Sequence, residues 1–180
     1  MLRKLNLLSI VGMLVCFVAH ALMSSFQLLG ASADSLKTVG WVCIGMVSVH
    51  MLISAILTGQ TLHALHRSGV SYWRGNELFW LRRVSGLAIV VPLILHLVIF
   101  NASNEGAYRL QVFTTGRMVS QILLLLAIAL HVVINVKPYL LSFGMRAHRQ
   151  VAVDILLVLS GLLVLFGAAF IVYYLRWMRF

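Results

Sequence analysis

His20, His50, His96 and His131 each fall inside a different long apolar run of the chain. An ionisable side chain surrounded by hydrocarbon costs on the order of a few kcal/mol unless it is partnered, so each of the four marks a function or a specific contact. Two chemistries suit an imidazole there. It can hydrogen-bond to a neighbouring helix, or a neutral ring nitrogen can ligate a metal centre. One imidazole alone does not separate these; four, one per run, weigh towards ligation.

The elements that carry them are read from composition. Of 180 residues, 62% are hydrophobic and 10% charged, and the mean hydropathy is +1.01. So little polar surface excludes a water-soluble domain. A hydrocarbon core of about 30 Å requires about 20 apolar residues in a helix. Five runs meet that requirement, at 6–30, 38–60, 79–101, 115–137 and 151–175. The expected fold is an all-α membrane protein, a single transmembrane domain over residues 1–180 with five transmembrane helices. Pro138 is predicted to end the fourth helix. Pro92, four residues before His96, deprives the Ala88 carbonyl of its helical donor and predicts a kink. Ala19-His20-Ala21 resembles a signal-peptide cleavage site, but the apolar run continues to Leu29, which favours an uncleaved span.

Other chemistry is excluded by what the chain lacks. Cys16 and Cys43 are too few for an iron–sulfur cluster and form no CxxC pair. There is no Gly-rich dinucleotide fingerprint and no P-loop. The formal charge of +10 sits mostly at the ends of apolar runs, the pattern of membrane anchoring rather than of nucleic-acid binding. Arg3, Lys4, Arg67, Arg74, Lys137, Arg146 and Arg149, with Arg82 and Arg83, form the larger basic set. Lys37, Arg109, Arg117, Arg176 and Arg179 form the smaller one, which predicts a cytoplasmic N-terminus in a cell inner membrane.

Counting at about 1.5 Å per residue from the cytoplasmic ends puts His20 about 22 Å deep and His96 about 24 Å deep. His50 lies about 15 Å from Gln60, and His131 about 9 Å from Lys137. The histidines therefore sort into an outer layer, His20 with His96, and an inner layer, His50 with His131. Two imidazoles at one level facing one bundle interior describe bis-histidine ligation of haem iron, and two layers imply two b-type haems within the first four helices. A single metal held by all four would need one depth. His63, His66 and His148 fall outside the runs. The i, i+3 pair His63 and His66 can share a metal in principle, but a solvated face is the simpler reading.

Haem propionates call for cations near the membrane surface. Arg82, Arg83 and Lys137 suit the inner haem and Arg117 the outer one, although headgroup anchoring explains Arg83 and Lys137 equally well. Gly45, Ser54 and Gly86 are small enough to admit a macrocycle or a neighbouring helix. Asp154 is the one carboxylate inside a run, so no intramembrane wire of acids is expected. Asp34 and Glu105 are weak candidates for proton exchange at the outer surface.

With its five spans, one histidine on each of the first four, and Leu81-Arg82-Arg83-Val84-Ser85-Gly86 upstream of His96, the chain resembles the di-haem cytochrome b anchor of succinate:quinone and quinol:fumarate oxidoreductases. The Arg-x-x-Gly helix start is similar to one common in these anchors. The resemblance implies a distal haem on His20 and His96 and a proximal haem on His50 and His131. It also implies a flavoprotein and an iron–sulfur subunit on the cytoplasmic face, with membrane quinone, a menaquinone or ubiquinone, as electron partner. Assembly as a dimer or trimer of the complex fits the same pattern. Dicarboxylate chemistry would then belong to another subunit, with quinone chemistry in or beside this one. Departures are the compact loops and Ala129-Leu130 before His131, where no acid accompanies the ligand. The competing readings are another di-haem quinone-linked anchor, such as a b561-like protein, and a haem-free membrane transporter or assembly protein.

Overall fold

The computed structural model describes residues 2–31, 37–69, 76–100, 112–145 and 147–178, with the side chains of Arg3 and Lys37 outside that set. Asp34, Arg74, Glu105, Arg109, Arg146 and Arg179 lie outside the described residues. Five α-helices follow one another: α1 Leu2–Leu28, α2 Lys37–Ser68, α3 Glu77–Phe100, α4 Thr115–Ser142 and α5 His148–Trp177. All five are long and apolar enough to cross a membrane. Their outward faces are apolar as well: Val164 is 72% exposed and Leu157 70%. Water would penalise such a surface, whereas lipid does not.

The helix ends depart from the expected spans in instructive ways. Pro138 does not end α4; it lies inside it. Proline removes one bond, to the carbonyl four residues back, while its fixed φ remains helical, so the ladder resumes beyond it. The stop comes from Gly144, at φ 73°. Gly144 N donates to Leu141 O and Met145 N to Leu140 O at 3.2 Å, the paired bonds of a left-handed C-terminal cap. The turn after α1 repeats the device: Gly30 at φ 83° donates to Gln27 O, and Ala31 N donates to Phe26 O at 2.8 Å.

α2 also outruns its expected end at residue 60, continuing to Ser68. Thr61-Leu62-His63-Ala64-Leu65-His66-Arg67 contains no glycine or proline, so nothing halts the ladder where hydrophobicity fades. His63 and His66, expected in a connector, are exposed on this extension.

The chain divides into two units, Met1–Ser24 with Leu36–Glu77, and Ser25–Ser35 with Leu78–Phe180. In the first, α1 and α2 run antiparallel. The Cys43 thiol donates to Cys16 O at 3.1 Å, Gly12 faces Met46 and Gly40 faces His20. This register leaves the last ten or so residues of α2, about 15 Å of helix, beyond the start of α1. In the second unit, α4 packs on α5, and Thr115 Oγ1 lies 2.8 Å from Tyr174 Oη. Leu28, Ile99, Phe113, Ala169 and Tyr173 form its buried core. Phe113 stacks on Phe170 with centroids 6.2 Å apart and meets Tyr173 at 5.1 Å. Aromatic packing of this kind adds about 0.5–1.5 kcal/mol per pair beyond burial.

Candidate functional site

Within the second unit, α3 and α4 bring two histidines into defined surroundings. His96 Nδ1 lies 2.7 Å from Gln121 Oε1, and Gln121 is fully buried. The amide orientation follows from its other end. Gln121 Nε2 donates to Ser120 Oγ at 3.0 Å, and that hydroxyl donates to Arg117 O at 2.7 Å. With its proton committed to a carbonyl, Ser120 Oγ can only accept from the amide, which turns Oε1 towards the imidazole. His96 Nδ1 therefore carries the proton, and the lone pair sits on Nε2.

At the other level, His131 Nδ1 lies 3.0 Å from Ser85 Oγ. Ser85 also donates to Arg82 O at 3.1 Å, and Asn135 Nδ2 donates to His131 O at 2.7 Å. Asn135 Nδ2 also stands 3.4 Å from His131 Nδ1, but its shorter bond is to the carbonyl. With the Ser85 hydroxyl proton on Arg82 O, His131 Nδ1–H donates to Ser85 and leaves Nε2 basic. Gly86 closes this side of the ring. A Cβ there would stand 3.3 Å from His131 Cε1, tighter than an ordinary contact, so the ring uses the space that glycine leaves.

The first unit presents its histidines differently. His20 packs against Gly40, with Cε1 3.6 Å from where a Cβ would stand. His50 is half-buried on α2. The α1–α2 register puts His50 level with Ser9, while His20 is level with Gly40. The two imidazoles are thus separated by the ten residues from 40 to 50, about 15 Å along the axis. In the second unit His96 is level with Gln121, and His131 with Ser85 and Gly86. Ten residues, 121 to 131, again separate the levels, about 15 Å. The depth count from span ends gave about 15 Å for His96 and His131 but only about 7 Å for His20 and His50. It took Gln60 as level with Leu5, whereas the α1–α2 register puts Gln60 beyond the start of α1.

Of the cations expected near a cofactor, Arg82 is half-buried one turn from Ser85 and Gly86, and its Nε is buried with no hydrogen-bond partner among the described residues. Arg83 stacks its guanidinium 5.0 Å from the Phe79 ring centroid. Tyr139 lies within electrostatic reach of both arginines. Arg117 Nη1 donates to Val112 O, so part of its guanidinium holds the entry to α4. Lys137 is exposed. A Cβ at Gly45 would meet nothing within 4 Å, and Asp154 is exposed on α5.

No protein-family model, curated protein or solved structure matches the chain. Its own residues therefore carry the functional reading. Among the described residues no three His, Cys, Asp or Glu side chains converge as a metal cluster. A haem iron asks for less: two imidazole Nε2 lone pairs, each ring oriented through its Nδ1–H. His96 and His131 each present one such nitrogen, on different levels, and the glycines at His20 and His131 leave room for close approach.

Sequence reasoning did not pick out Gln121, Ser120, Asn135 or Gly40, and it gave Ser85 no role. A signal for two of them was present. Gln121 and Asn135 are carboxamides inside a 28-residue apolar helix, and polar groups at that depth are costly unless employed.

Proposed function

We propose that this protein is a di-haem cytochrome b membrane anchor that passes electrons between a dehydrogenase docked on its cytoplasmic face and membrane quinone. The observation that carries the reading is the equal stagger of the histidines. In each unit two imidazoles stand about 15 Å apart along the helices, as two stacked bis-histidine haems require. The proposal pairs His20 with His96 and His50 with His131. Bound haem would supply one-electron redox chemistry buried from water. The chain's own contribution is orientation. Gln121 and Ser85 fix the tautomer of His96 and His131, Gly86 and Gly40 make room, and Arg82 offers a guanidinium nitrogen to an anionic propionate. Arg83, Arg117 and Lys137 are secondary candidates for that role.

The partners belong to the same proposal: a flavoprotein and an iron–sulfur subunit handling succinate or fumarate, with menaquinone or ubiquinone in the bilayer. The proposed location is the cell inner membrane, with the N-terminus on the cytoplasmic side.

The test is a pyridine haemochrome assay of the purified full chain, with reduced-minus-oxidised spectra. Two b-type haems per chain are expected. A chain without b-type bands overturns the reading and favours a haem-free transporter or assembly protein, whose histidines would lie in a proton or metal path.

A further inference from the structure

We infer that the level of Asn6 and Ser54 in the α1–α2 seam binds the headgroup of a lipid-soluble quinol or quinone. The inference deepens the proposed function and rests on it for the electron acceptor. Three contacts fix the seam: His20 with Gly40, Cys16 with Cys43, and Gly12 with Met46. Continuing that register by successive turns puts Ser9 opposite His50, and Asn6 opposite Ser54. The seam changes character along its length. Towards His20 it consists of glycine, cysteine and methionine; beyond Gly12 it becomes Asn6, Ser9, His50, Ser54 and Thr58. These are polar side chains in a helix pair that is otherwise mostly apolar, which is costly in hydrocarbon unless they serve a ligand or one another.

Several of the hydroxyls are already committed. Ser9 Oγ donates to Asn6 O at 2.8 Å, Thr58 Oγ1 to Ser54 O at 2.6 Å, and Thr61 Oγ1 to Leu57 O at 2.8 Å. Asn6 stands apart: its Oδ1 is buried and has no hydrogen-bond partner among the described residues. An orphaned buried acceptor costs on the order of 1–3 kcal/mol, and turning the carboxamide outward sacrifices no bond at that atom. Asn6 is half-buried, and Leu5 beside it is 43% exposed. A ligand arriving through lipid can therefore reach it.

A para-quinol matches this chemistry. Its apolar body partitions into the bilayer, its hydroxyl donates to Asn6 Oδ1, and the quinone form accepts from Asn6 Nδ2. Depth agrees, since Asn6 lies about 6 Å in from Leu2, close to the water that must take up or supply protons. His50 is one turn deeper, so the headgroup would sit beside a proposed inner haem ligand. One quinol then reduces two ferric haems and releases two protons to the adjacent aqueous face.

The experiment mixes purified, oxidised full-length protein with 2,3-dimethyl-1,4-naphthoquinol and follows the reduced b-type band by stopped flow. Asn6→Ala is expected to slow haem reduction roughly three- to ten-fold at subsaturating quinol, the effect of one lost hydrogen bond, with the dithionite-reduced spectrum unchanged. Ser54→Ala is expected to slow it by a smaller factor. Ser48→Ala, whose hydroxyl bonds its own helix at Ile44 O, is expected to match the wild type. A wild-type rate in Asn6→Ala overturns the site; so does a wild-type rate in Ser54→Ala should Asn6→Ala lose haem. If the wild-type chain holds no haem, the proposed function fails and the site is judged separately. Equilibrium dialysis must then show naphthoquinol bound by the wild type and bound roughly three- to ten-fold more weakly by Asn6→Ala; equal binding by both, or none by the wild type, overturns it.

Discussion

The two units differ in what their helices are seen to place beside the histidines. In α3 and α4 each imidazole is oriented by a side chain on the facing helix: Gln121 for His96 and Ser85 for His131. Along α1 and α2 the notable provision is space, with Gly40 against His20 and small residues along the seam. A hydrogen bond fixes ring rotation and tautomer before any ligand arrives, whereas a glycine only permits close approach. Substitutions of the hydrogen-bonding side chains should therefore alter electronic properties, and those of the glycines should alter occupancy.

The largest effect that would break this comparison is loss of a whole cofactor. His50→Ala and His131→Ala should each halve the haem content measured by pyridine haemochrome, and the double variant should lose no more than either single one. The same holds for His20→Ala with His96→Ala. Further loss in either double variant would mean that the paired histidines serve different haems.

Steric crowding comes next. Gly86→Leu drives carbon into the His131 ring, where even a Cβ stands at 3.3 Å, and should abolish binding of one haem. Gly40→Leu, starting from 3.6 Å, should weaken it less. Titration of the purified apoprotein with haemin ranks the two.

Gln121→Leu sharpens the electronic side. It should cost about 1–3 kcal/mol in stability from the buried hydrogen bond, seen as a lower melting temperature. It should also raise the midpoint potential of one haem, because a less basic imidazole stabilises the ferric state less. Potentiometric titration reads this, and Gln121→Glu should move the potential the opposite way.

The existence of five helices was legible because membrane spans announce themselves by length and hydropathy. Their ends were less so. Pro138 looked like a stop, yet the chain tolerates it and turns at Gly144, a cap whose signature is backbone geometry rather than residue type alone. The four histidines were legible from the cost of placing them in hydrocarbon. Their acceptors were not, because whether Gln121 meets His96 or faces lipid depends on the rotation and register of α3 against α4, which packing decides.

The smallest predicted effects concern those caps. Gly144→Ala should cost about 1 kcal/mol, from the positive φ alone. Gly30→Ala should cost more, because its Cβ would also stand 2.9 Å from Arg176 Nη1. Thermal unfolding in a single detergent compares the two.

The chain of bonds behind His96 runs through a carboxamide and a hydroxyl and finishes on the main-chain carbonyl of Arg117. A carbonyl holds no proton to give, and a carboxamide does not readily hand one along. Charge appearing at that imidazole would therefore be met along this chain by dipoles rather than by a relayed proton. If His96 holds a haem as proposed, an electron arriving there would find no proton relay along this chain of bonds.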